Sequence, residues 1–408
     1  MIATARHVNR LAQQARESRY RIGELVQATA LNIGDAVAWG QFLDDSRQVS
    51  QFGFYGTSAA IEILTIAGMA PDNRLIRQAW GGVPDASSPT SKSPAYDLAD
   101  LGITFKLAAL VDAEYAGRQS DNLRPFERLL KSKIIDGRGW GYYYYDDDDR
   151  DTSPKFLATA QAMYSLRHSR IFKTSADAEH VTAWICRELS EDADLQPDEL
   201  ALAVLALADY QGFKSAVHEF DAAHDMAVSR LLNWAGGRQP QVIGESRSYH
   251  YSVREKAGQR NHYVFYPTDI LVALALIQAG NPQATREYTL DVVRYASTNV
   301  KANGGLRARS SHRIATVDQL WASRLFDAFE AAVKRSPRNV VPRVAQVVSH
   351  TRIRQALTAL ALLAIGLAGT AISIDADIWA WLRVAGGVAA AVMLGVLATA
   401  IWKWIGGK

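Results

Sequence analysis

An all-α fold, about six helical pairs closed into an α/α toroid and followed by a transmembrane helical hairpin, is what this sequence predicts. Three observations carry that reading. Apolar, hydroxyl- or acid-headed segments recur at near-constant spacing through the first four-fifths of the chain. A more amphipathic segment lies between successive heads. Two long uncharged apolar runs sit together near residue 408.

The heads are Thr57, Thr104, Ser153, Asp198, Thr268 and Thr316, separated by 47, 49, 45, 70 and 48 residues. A period of this size signals a repeat architecture. The segments that follow, such as LALAVLALA and ILVALALI, are apolar on every face and must be buried on every face. Between them lie LRPFERLLKSKII, AEHVTAWICREL, HDMAVSRLLNWA and REYTLDVVRYAS, each with one apolar stripe. An inner ring of parallel helices and an outer ring running back satisfies both patterns. At the third head, Ser153 is expected to cap a helix, with Pro154 in its first turn. Residues 1–48 read as one or two amphipathic capping helices, with Val8, Leu11, Ala15, Ile22, Leu25, Val26 and Ala30 on the buried face. The toroid domain is assigned to 49–334, a basic linker to 335–354 and the membrane module to 355–408.

Composition narrows the function. A net charge of +3 argues against bulk, sequence-blind nucleic-acid binding, and a single cysteine, Cys186, excludes an internal disulfide. The polar, basic opening residues lead to the expectation that there is no secretory signal. The histidines lack metal-ligand spacing, no P-loop or dinucleotide fingerprint is present, and neither metal nor cofactor is expected.

The 70-residue interval holds an insertion of about 20 residues, predicted as a loop on the binding face. Between Trp234 and Tyr263 it interleaves Arg238, Arg247, Arg254, Lys256 and Arg260 with Tyr249, His250, Tyr251, His262 and Tyr263. Arg307, Arg309, His312 and Arg313 precede the sixth head. Cations mixed with stacking rings suit a nucleotide, an oligonucleotide or a lipid diphosphate. Parallel inner helices would add their positive ends at the same mouth, each favouring an anion by a few tenths to about 1 kcal/mol. The predicted ligand-binding set is therefore Arg247, Tyr249, Tyr251, Arg254, Lys256, Arg260, His262, Arg307, Arg309 and Arg313. A solvated loop, salt-bridged to the aspartates at 146–149, is the duller alternative.

Gly139-Trp140-Gly141 and Gly304-Gly305-Leu306, each ahead of a polar turn and a hydroxyl-headed apolar helix, resemble the repeats of the terpenoid cyclase and protein prenyltransferase superfamily. The resemblance spans about residues 50–330. It implies the toroid, and it implies an enzyme acting on a polyprenyl diphosphate, with Asp146, Asp147 and Asp149 as the catalytic acids. The prenyltransferase zinc site is missing, since Trp184 stands two residues before Cys186 where the family has Asp. The Asp-x-Asp-Asp letters at 146–149 are separated from the helix head by Arg150, Asp151 and Thr152.

Ala356–Ile374 and Val384–Trp402 are each long enough to span about 30 Å of hydrocarbon. Arg335, Arg338, Arg343, Arg352 and Arg354 precede the first, and Lys403 and Lys408 follow the second. Positive residues stay inside, so a two-pass protein of the cytoplasmic membrane is expected, with both termini and the toroid cytoplasmic. Gly366, Gly369, Gly386, Gly387 and Gly395 allow close helix approach and a homo-oligomer. A sensor domain joined to a terminal two-helix membrane module looks like the layout of bacterial antiphage effectors, which implies a partner enzyme that makes the ligand. A membrane scaffold is the remaining alternative.

Overall fold

The computed structural model describes residues 5–40, 42–44, 54–69, 74–75, 134–141, 153–167, 170–240, 246–255, 258–280, 287–300, 302–306 and 313–335. The chain divides into two compact units, Met1–Pro342 and Arg343–Lys408. All described residues belong to the first. Both predicted spans, 356–374 and 384–402, lie outside the described residues. Among the described residues, no helix is long and apolar enough to cross a membrane.

The chain opens with α1 (Ala5–Ala28), then a small hairpin of β1 (Leu31–Ile33) and β2 (Ala36–Ala38), then α2 (Phe54–Ile66). After residue 153 come α3 (Phe156–Leu166), α4 (Arg170–Lys173), α5 (Ala176–Glu191), α6 (Pro197–Leu207) and α7 (Phe220–Ala235). A second hairpin, β3 (Ser246–Glu255) and β4 (Gly258–Pro267), leads into α8 (Thr268–Gln278), α9 (Tyr288–Asn299) and α10 (Thr316–Arg335).

Two rows of helices emerge from the packing. The inner row runs α3, α6, α8, α10, α2, each against the next. Every outer helix lies across two inner ones: α5 on α3 and α6, α7 on α6 and α8, α9 on α8 and α10, α1 on α10 and α2. The row curls. Although α6 and α8 stand between α3 and α10 in the sequence of contacts, Tyr164 of α3 stacks on Trp321 of α10 with ring centroids 5.7 Å apart.

Burial follows the apolar pattern that predicts it. Leu200 to Leu207 in α6 and Ile270 to Ile277 in α8 are buried on all faces. Outer α5 buries one stripe, Ala178, Val181, Thr182, Ile185, Cys186 and Leu189 among it. In α1 the predicted stripe of Val8, Leu11, Ala15, Ile22 and Val26 is buried, against the neighbours of an outer-row helix. Among the described residues of the N-terminal stretch, one helix is formed, the smaller of the two numbers expected. The helix stops at Ala28, and Gly34, at φ 58°, turns the chain between β1 and β2.

The glycine-tryptophan phrase has a structural job. In each of three repeats, a residue early in an inner helix satisfies the backbone of a residue well ahead of that helix. Thr57 accepts from the Trp39 N–H at 3.1 Å, and Thr159 accepts from the Trp140 N–H at 2.9 Å. The Gln319 amide accepts from the Leu306 N–H at 2.9 Å and donates to its carbonyl at 2.7 Å. The approach of Thr159 excludes a side chain at Gly139, and the approach of α1 excludes one at Gly304. A Cβ on Gly139 would lie 2.3 Å from the Thr159 hydroxyl, and one on Gly304 would lie 2.2 Å from the Arg21 carbonyl.

That arrangement also corrects the expected cap. Ser153 is exposed and ahead of the helix; α3 starts after Lys155, which makes no side-chain cap. The Trp140 carbonyl holds the Lys155 N–H instead, at 2.8 Å. By contrast, α6 begins with a capping box, Gln196 with Glu199, and Pro197 in its first turn.

Candidate functional site at the rim of inner-helix starts

Several inner helices begin side by side. The segment around Trp39 to Asp44 threads between α2 and α10. The Thr316 hydroxyl donates to the Gly40 carbonyl at 2.8 Å, and the Leu43 N–H donates to the Ile314 carbonyl at 2.8 Å. Strand β4 touches both α8, which it enters, and α10. The starts of α2, α8 and α10 thus share a rim.

Further along the inner helices, a cation–aromatic cluster joins α2, α3 and α10. Glu62 of α2 takes a two-pronged ion pair from Arg324 of α10, at 2.8 and 2.7 Å. The Arg324 guanidinium lies 4.5 Å from the Trp321 ring centre and 5.3 Å from that of Tyr164. Arg167 covers Tyr164 at 3.6 Å.

Three carboxylates stand in the first turns of successive inner helices: Asp198 in α6, Asp269 in α8 and Asp318 in α10. All are buried. Asp318 is 5% exposed, and it makes no hydrogen bond or ion pair among the described residues. Burial pushes its carboxyl up to about 7, the range in which a group can both give and take a proton at neutral pH. Asp269 is differently placed. The Tyr288 hydroxyl of α9 donates to its Oδ1, and the Arg238 Nε lies 3.6 Å from the same oxygen. Burial, and then the neighbouring Asp269, hold the Tyr288 hydroxyl far above the usual phenol range.

The basic insertion is a β-hairpin rather than the expected loop. β3 and β4 pair antiparallel from Ser246↔Pro267 to Glu255↔Gly258. Alternation of Tyr249, Tyr251 and Val253 with Ser248, His250, Ser252 and Arg254 suits a strand better than a loop. The register sorts the predicted ligand set, because alternate residues of a strand share a face. Arg247, Tyr249 and Tyr251 share one with Arg260, His262 and Tyr266, while Arg254 falls on the other with His250 and Tyr263. Lys256 lies outside the described residues, as do Arg307, Arg309 and the acids Asp146, Asp147 and Asp149. Arg313 sits ahead of α10, its guanidinium 4.6 Å from the Phe42 ring centre.

Sequence reasoning missed Asp269, Asp318 and Tyr288. A signal for the acids was present: Asp198, Asp269 and Asp318 each stand two residues before a leucine at an inner-helix head. Among the described residues no group of three His, Cys, Asp or Glu could hold a metal ion. Cys186 is buried in α5, and burial, with the Glu219 charge second, pushes its thiol up to about 12, which leaves it inert.

The class these features define is the α/α toroid, and comparison with solved structures supports that fold. An inactive variant of the alpha-1,6-mannanase GH76A of Salegentibacter sp. HEL1_6, altered at two consecutive aspartates and bound to alpha-1,6-mannotriose, superposes with a TM-score of 0.55. The match covers 78% of this chain and 99% of that one at 10% identity. At that identity the likeness speaks for the fold alone, and it does not single out the terpenoid cyclase superfamily. No family model matches the chain, and no curated protein does.

Proposed function

We propose that the toroid is the ligand-sensing part of a membrane effector. An anionic ligand of the nucleotide or oligonucleotide class binds at the rim, and the C-terminal hairpins of a homo-oligomer respond by forming a pore or disrupting the bilayer. The observation that carries this reading is the rooting of the basic hairpin at the start of α8 and against α10. It places Arg247, Tyr249, Tyr251, Arg260 and His262 on one face of a regular two-stranded sheet, where cations can meet phosphates and rings can meet bases. The chain's layout, with 356–374 and 384–402 as the spans, supplies the membrane half. Antiphage defence is the setting that such a layout fits.

The full-length protein in vesicles of mixed zwitterionic and anionic lipid tests this. With ATP and a short oligoadenylate as probes, at least one is expected to bind and to trigger dye release. Arg247→Ala with Arg260→Ala is expected to weaken binding at least tenfold, roughly the loss of two charge-assisted contacts. Dye release that ignores both probes, or binding untouched by the double variant, removes the proposal.

Asp318 favours a second reading, a membrane-bound enzyme working at the same rim. A nearly buried carboxyl poised near neutrality is what a general acid requires. The mannanase with a similar fold makes an α-1,6-linked mannoside the first substrate to try, and a polyprenyl diphosphate the second. Turnover of either, abolished by Asp318→Asn in a folded protein, would replace the effector reading. No turnover of either leaves the effector reading in place.

A further inference from the structure

Three helix residues and Arg238, from the segment just after α7, close a circuit at the foot of the hairpin. The Arg238 guanidinium lies over the Trp234 ring, 4.4 Å from its centre, and faces Asp269. Tyr288 donates to Asp269, and its ring meets the Trp234 ring edge-on with centroids 5.9 Å apart. Arg238 ends the approach from α7, and Asp269 lies just beyond β4. Between them they bracket the whole insertion.

The two ends of this ion pair are unequal. The Asp269 side chain is 5% exposed, and Tyr288 already gives it a hydrogen bond; the Arg238 side chain is 32% exposed. The Nε of Arg238 is buried and makes no hydrogen bond, its 3.6 Å approach to Asp269 being too long for one. A guanidinium seated over an indole presents a planar fork of N–H groups, which suits an incoming oxyanion with two oxygens to offer. Asp269 would not be left bare by the exchange, since Tyr288 remains.

We propose that Arg238 is an exchangeable cation: a phosphate-bearing ligand at the rim draws its guanidinium away from Asp269, so that Asp269 competes with the ligand for it. This rests on the reading of the rim as an anion site. It predicts opposite signs for two substitutions that a purely structural ion pair would move the same way. Removing the competitor helps the ligand, and removing the cation hurts it.

Calorimetric titration of the full-length protein in detergent with inorganic phosphate and with adenosine monophosphate reads both effects. A parallel flotation assay with vesicles containing phosphatidic acid separates a lipid headgroup from a soluble phosphate as the source. Asp269→Asn, which keeps an acceptor for Tyr288, is expected to tighten binding threefold or more. Arg238→Ala is expected to weaken it at least tenfold, and Arg238→Lys, which keeps charge without the fork, to fall between. Arg238→Lys carries the test if Arg238→Ala unfolds. Equal or weaker binding by Asp269→Asn overturns the exchange while leaving the rim as an anion site. Absence of phosphate, adenosine monophosphate and phosphatidic acid binding in the unaltered protein overturns both.

Discussion

The ring is held together differently in two places. Between α6 and α8 the contact is leucine, valine, isoleucine and alanine, buried on every side. At the seam where the last described helix meets the first two, ion pairs are added to apolar packing, since α10 also buries Leu325, Phe326, Phe329 and Val333. Arg16 reaches Glu330 at 2.9 Å, Arg19 pairs with Asp327 and with Glu330 at 3.1 Å, and Arg324 meets Glu62, while Lys334 of α10 itself meets Glu330 at 2.7 Å. Apolar packing rewards any close fit between neighbouring repeats, but it cannot tell α10 which helix to accept as its final neighbour. A buried ion pair such as Arg324 with Glu62, 9% and 2% exposed, can, because a charge left unpaired there is costly in a way that a mismatched leucine is not. The seam thus carries a pairing constraint that the α6–α8 sector lacks.

That contrast can be broken from its strongest side first. Arg324→Ala leaves Glu62, 2% exposed, without its guanidinium, and a cost of about 3–5 kcal/mol is expected in urea unfolding. A double change of Arg324→Met and Glu62→Met should recover much of that loss. If the single variant costs no more than a surface substitution, the seam is not a buried ion pair. Leu274→Ala, in the centre of α8, is expected to cost about 2–5 kcal/mol at any pH, with no dependence on salt.

Acid should separate the two regions. Although burial alone would raise the Glu330 carboxyl, hydrogen bonds from Arg16 and Lys334 and the Arg19 charge bring it down to about 2. A group lowered on folding contributes stability that is present above its unfolded value, about 4.5, and lost as pH falls towards 2. Thermal unfolding between pH 5 and pH 2 should fall more steeply for the unaltered protein than for Glu330→Gln, and parallel curves would contradict the seam's electrostatic role. The smallest effect has the opposite sign. Asp318, raised from 3.8 to about 7, binds its proton more tightly folded than unfolded, so its contribution is fully present below its unfolded value and is lost as pH rises from there through about 7. Asp318→Asn is expected to raise the melting temperature by about 2–4 °C at pH 8 and to change little at about pH 3.5, below the unfolded value. An equal shift at both values would mean that the carboxyl is not titrating near neutrality.

Part of the candidate site could be read in the residues and part could not. The helical heads, the all-round burial of LALAVLALA and ILVALALI, and the stripe on α1 follow from periodicity, which is a local property. The length of the insertion points to a loop, whereas the pairing that makes it two strands joins residues as far apart as Ser246 and Pro267. Ser153 looked like a cap by composition, yet Trp140 provides the acceptor from 15 residues away in sequence, and no local rule contains that. Arg238, Asp269 and Tyr288 come together only when three helices pack.

Sequence alone determined that this chain buries a row of apolar helices at near-constant spacing, because hydrophobic periodicity and capping chemistry act over a few residues and need no partner to be recognised. Tertiary structure decided which carboxylates lose water at the rim, which arginine faces which acid, and that α1 takes the outer place between α10 and α2. Desolvation and ion pairing depend on distances between residues up to 314 positions apart, and those distances exist only once the ring has curled.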